Sequence, residues 1–93
     1  MANAVVTMRI MPEGLEVDLE RVAREAEEKI DAFVGKSMQK QVSFQPVAFG
    51  LKAVEIMFMM NEALGSPDAI AEKMTSIEGV QGAEITSVTR ALG

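Results

Sequence analysis

Fourteen carboxylates, nine basic side chains and not one histidine or cysteine limit the chemistry that this 93-residue chain can do by itself. Without imidazole or thiol there is no Ser-His-Asp or Cys-His nucleophile system, no zinc finger and no disulfide. A catalytic carboxylate pair needs a cleft that drives two pKa values apart. Glu20, Glu27, Glu28 and Asp31 instead fall on the outward stripe of a helical pattern, the place of a solvated face. No Asp-x-Asp-x-Asp-Gly loop offers oxygen ligands to calcium. Gly14, Gly35, Gly50, Gly65, Gly79, Gly82 and Gly93 never reach the spacing of GxxxxGK[ST] or GxGxxG, so no phosphate cradle, bound nucleotide or other cofactor is expected. Asn3 and Asn61 stand at strand ends without the arginine-bearing anion loop that an acylphosphatase-like hydrolase would need.

The residues with most to say are apolar. In Phe44-Gln45-Pro46-Val47-Ala48-Phe49-Gly50-Leu51-Lys52-Ala53, a phenylalanine lies between a proline and a glycine where two strands must turn. A large ring there costs solubility unless it packs or binds. Two placements stay open for Phe49: folded back on the core, or exposed as an anchor for a partner. Gly50 would let such a partner approach the backbone closely. Eight methionines fill a core or form an adaptable surface. Met57 and Met59 are expected to point away from the helices, while Arg9 and Glu55 are expected as a cross-strand ion pair.

The elements that must hold these residues follow from periodicity. Ala4, Val6, Met8 and Ile10 alternate with Val5, Thr7 and Arg9 as in a half-buried strand, which Pro12-Glu13-Gly14 ends. Leu19, Val22, Ala23, Ala26, Ile30 and Phe33 recur at helical spacing, with Asp18 as N-cap and Gly35 past the end. Val42 and Phe44 alternate with polar residues up to Pro46, which suits a sheet edge. The next strand is apolar on both sides: Val54, Ile56, Phe58 and Met60 share one face and Leu51, Ala53, Glu55, Met57 and Met59 the other, so it is expected to be central. Ser66-Pro67-Asp68 starts a second helix with Ile70, Met74 and Ile77 on its buried stripe, and Gly79 is expected to close it. Val80 to Ala91 reads as a last strand in which a bulge would explain the irregular pattern. The order β-α-β-β-α-β predicts an α+β fold, a ferredoxin-like plait with a four-stranded antiparallel sheet and two helices on one face.

Residues 1–93 carry no linker or composition break and are expected to form one domain. The formal charge is −5, and all of it lies between Glu13 and Asp31, where eight acidic residues face three basic ones. That balance argues against direct binding of nucleic acid or an anionic membrane. No apolar run approaches the length of about 18 residues needed to cross a bilayer, and no signal segment opens the chain. A cytoplasmic protein is expected.

The stretches Ile10-Met11-Pro12-Glu13, Pro46-Val47-Ala48-Phe49-Gly50-Leu51-Lys52, Ile77-Glu78-Gly79-Val80 and Ala83-Glu84-Ile85-Thr86-Ser87-Val88-Thr89-Arg90 together resemble the archaeal-type elongation factor 1-beta family over nearly the full length. The resemblance implies a factor that promotes exchange of GDP for GTP on the GTPase elongation factor 1-alpha, with no covalent chemistry of its own. It implies that Phe49 and Gly50 match the family's GTPase-contacting Phe-Gly motif and that Lys52 matches a basic position beside it. It also puts Arg90 where the eukaryotic members have a lysine that reaches toward the partner's Mg2+ site. An arginine there is a departure, because a guanidinium is broad, planar and suited to bidentate partners, whereas an ammonium is a compact charge. Read from the residues alone, a small-ligand regulatory or self-associating plait using Leu51, Met57 and Met59 is the alternative.

Overall fold

A computed structural model describes residues 3–35 and 40–90. Ala91, where the last strand was expected to end, lies outside the described residues, as do Met1, Ala2 and Gly93. Strand β1 (Asn3–Pro12) is followed by helix α1 (Leu19–Val34), β2 (Lys40–Pro46), β3 (Lys52–Asn61), a single 3-10 turn η1 (Glu62–Leu64), helix α2 (Asp68–Met74) and β4 (Val80–Arg90). The sheet order is β2-β3-β1-β4, with every neighbouring pair antiparallel. This is the expected plait, with the doubly apolar β3 inside the sheet and the Pro46-ended β2 at its edge.

Alternation in β1 is strict: Ala4, Val6, Met8 and Ile10 are buried and their neighbours half-exposed. Val54, Ile56, Phe58 and Met60 of β3 are buried beside them, and α1 covers both strands with Val22, Ala23, Ala26 and Ile30. Each such side chain taken from water contributes roughly 1.5–3 kcal/mol for the larger aliphatics, so this seam holds the two layers together. Asp18 caps α1 by accepting from the amides of Glu20 and Arg21, and Gly35 ends it with φ 99°. On the open face, Met57 is 44% exposed, and Arg9 meets Glu55 at 3.4 Å in direct cross-strand register.

The second helix is shorter than its sequence pattern suggested. Ser66 does cap it, its hydroxyl accepting from the Asp68 amide, but the α-helix ends at Met74 rather than running to Gly79. Two hydroxyls end it: Thr75 donates to the Glu72 carbonyl at 2.8 Å and Ser76 to that of Lys73 at 2.7 Å. Ile77 still reaches the core from the turn beyond. Gly79 there has φ 92°, and a Cβ on it would lie 2.9 Å from Val17 Cγ1. Its carbonyl accepts from Glu13 N, while Arg21 donates to the carbonyl of Glu78, so this turn braces the loop between β1 and α1.

In β4 the expected bulge is present. Thr7 pairs with Ser87 but Met8 with Ile85, leaving Thr86 over, and the Thr86 hydroxyl donates to the Thr7 carbonyl. The extra residue reverses the alternation. Ala83 and Ile85 precede it on the helix-bearing face, and Val88 and Arg90, opposite Val6 and Ala4, follow it on that same face.

Candidate functional site: a strained aromatic turn and a distant arginine

The β2–β3 hairpin closes by Leu51 N donating to the Ala48 carbonyl at 2.9 Å, and Val47 N donates to the Leu51 carbonyl at the same distance. Phe49 and Gly50, the two central residues, have φ of 53° and 79°. Positive φ at both places is the pattern of the mirror-image hairpin turns, which favour Asn-Gly because their twist matches that of the strands. Phe49 is the sole non-glycine residue with positive φ among those described. A phenylalanine held there forgoes about 1–2 kcal/mol relative to ordinary backbone. The ring recovers nothing from packing, since Phe49 is 96% exposed. Of the two placements open from sequence, the structure takes the outward one.

Around this turn lies more apolar surface. Leu15, in the loop after β1, is 70% exposed, and one of its methyl carbons would sit 3.7 Å from a Cβ placed on Gly50. With Pro12, Leu19 and Leu51 it borders a small recess that also touches Lys52. Lys52 is exposed and shares a shallow groove with Phe44, Asp18 and Glu20. Phe49, Gly50 and Lys52 thus stand together at one end of the sheet. The contribution of Leu15 was invisible in the sequence, where an isolated leucine after Glu-Gly carries no periodic signal.

Arg90 stands at the other end. It pairs with Ala4 at the start of β1, whereas the hairpin turn lies beside Pro12 at its finish. At about 3.3 Å per residue the two ends are ~26 Å apart along the strand. Arg90 forms a two-pronged ion pair with Glu62, Nε to Oε2 at 2.9 Å and one Nη to Oε1 at 3.1 Å. This carboxylate raises the guanidinium pKa further above its already high ordinary value, first through the hydrogen bond and then through charge attraction. Both residues border an open recess of about 420 Å³ floored by Ala4, Val6, Met60 and Val88. Among the described residues no cluster of three or more metal-ligating side chains occurs.

A two-layer plait with an exposed ring on a strained turn and, far from it, an oriented cation carries side chains suited to contact with another macromolecule rather than to covalent chemistry. Residues 5–91 match the model of the EF-1 guanine nucleotide exchange domain, and the chain belongs to that family, which acts in translation elongation by promoting nucleotide exchange. Two relatives named elongation factor 1-beta align end to end with it. The one from Methanothermobacter thermautotrophicus is 38% identical over 90 residues, covering 97% of this chain and 98% of its own length. The one from Metallosphaera sedula is 40% identical over 91 residues, covering 97% of each. Membership implies elongation factor 1-alpha as the partner. A solved structure of a de novo designed protein, Foldit4, shares the fold with a TM-score of 0.63 at 17% identity over 98% of each chain.

Proposed function

We propose that the chain, as one domain, docks on elongation factor 1-alpha near its nucleotide and Mg2+ site and loosens its hold on GDP through two separated contacts. Phe49 is the apolar anchor, Gly50 lets the partner's surface close on the turn, and Lys52 supplies a basic contact at the same end. Arg90 meets an anionic group of the partner at the far end. The observation that carries this reading is the exposed ring of Phe49 on backbone that disfavours it. Strain retained without any packing return is expected where a side chain is held ready for another molecule.

The mechanism is differential binding. A factor that holds the loosened or nucleotide-free GTPase more tightly than the GDP-bound form lowers the free energy of the first relative to the second and speeds release. No proton or bond moves on this chain, which suits a sequence with neither histidine nor cysteine. The nucleotide pocket belongs to the partner, and this chain acts in the cytoplasm without binding nucleotide, nucleic acid or membrane itself. Its net charge of −5 favours that reading, and no helix among the described residues is long and apolar enough to cross a membrane.

The test is release of labelled GDP from purified elongation factor 1-alpha in excess unlabelled nucleotide. The chain should accelerate release in a saturable manner, and a Phe49→Ala variant with unchanged melting should lose most of that effect. A flat rate at saturating protein would reject the activity.

A further inference from the structure

Glu62 is assigned no role by the motifs or by the family match, yet three independent features of the fold converge on it. Its backbone is fixed, because it opens the 3-10 turn η1 that Asn61 caps by accepting from Ala63 N at 2.8 Å, and Asn61 is itself paired with Asn3. Arg90 is brought to the same face by the Thr86 bulge, which places it opposite Ala4 on the helix-bearing side. Gly65 and Pro67, just ahead of the second helix, line the recess that Glu62 and Arg90 both border and leave it open to a partner.

The geometry of the pair is specific. Glu62 takes the Nε–H and one Nη–H, which form one edge of the planar guanidinium, and among the described residues the other Nη donates to nothing. A guanidinium has five N–H groups in a fixed fork, so a carboxylate on one edge leaves the outer edge able to bind a second anion. A lysine cannot be held by one edge while presenting another. We propose that Glu62 is the positioning residue of Arg90, gripping the inner edge of the guanidinium so that its outer edge is presented to a carboxylate or phosphate of the GTPase. This rests on the reading of Arg90 given above.

The experiment measures GDP release with wild type, Glu62→Ala, Glu62→Gln, Arg90→Ala and the double variant Glu62→Ala/Arg90→Ala, each over a range of concentrations. Glu62→Ala should lower the maximal rate by about two- to fivefold, the range that an exposed ion pair can hold. The half-saturating concentration should hardly move, because Phe49 and its surroundings still dock. Glu62→Gln, which keeps one acceptor without charge, should fall in between. In the Arg90→Ala background, Glu62→Ala should have no further effect, which a merely structural role would not produce. An unchanged or increased rate for Glu62→Ala, or an equal loss in both backgrounds, overturns the assignment while exchange and Arg90 stand. Wild-type rates from Arg90→Ala would remove the Arg90 contact and Glu62 with it, and no acceleration by wild type would remove the exchange reading as well.

Discussion

At Phe49 the stability of the monomer and the proposed docking role oppose each other. Its ring is solvated and its backbone left-handed, so nothing within the monomer favours phenylalanine at that position. Asparagine tolerates positive φ and makes the Asn-Gly pair that such turns prefer. Phe49→Asn is therefore expected to raise the unfolding free energy by about 1 kcal/mol in urea titrations. The same variant should slow stimulated GDP release by about tenfold or more, as loss of an interface hot spot does. A variant both more stable and fully active would show that the ring is not an anchor. The turn was legible in the sequence, since proline, aromatic and glycine between two strand patterns mark a hairpin. What could not be read was the side chain's direction, which depends on the φ of a single residue and on the absence of any surface for it to fold onto.

At the scale of elements, most starts, stops and sheet positions were legible, and two features were not. The period-two pattern of β1, the Asp18 cap and Gly35 stop of α1, and the proline that confines β2 to an edge are all set within a few residues, and the structure has each of them. The β4 bulge was visible as a broken alternation. The end of α2 was not, because Thr75 and Ser76 satisfy its last carbonyls with their own hydroxyls and stop the helix before the glycine. Neither was the meeting of Glu62 with Arg90, which are 28 residues apart and joined only by the sheet order and that bulge. Gly79, expected as a helix terminator, instead braces the loop bearing Leu15. Gly79→Ala would force a Cβ into positive-φ backbone and within 2.9 Å of Val17 Cγ1. It should lower the unfolding free energy by about 1–3 kcal/mol, measurable by urea denaturation.

For the whole molecule the telling fact is separation. The two proposed contacts share no neighbour and lie at opposite ends of β1. Losses of transition free energy from Phe49→Ala and Arg90→Ala should therefore add in the double variant to within about 0.5 kcal/mol, as read from GDP-release rates. Strong non-additivity would place them in one contact. The chain also lacks every side-chain type that ordinarily titrates between about pH 6 and 9. Arg90 is shifted upward by Glu62, so any stability linked to it is present throughout that window and is lost only as pH rises through its raised pKa, far above it. Melting temperature should accordingly stay level from pH 6 to pH 9, and a pronounced slope there would contradict this account. The antiparallel pairing of β1 with β4 has a practical corollary, because Val88 and Arg90 both follow the bulge. A bulky label attached at Val88, two residues before Arg90 on the same face and bordering the same recess, would crowd the arginine while the aromatic turn stayed clear. Protein labelled there should still be captured by the GTPase and yet release nucleotide sluggishly, so that a pull-down and an exchange assay would disagree.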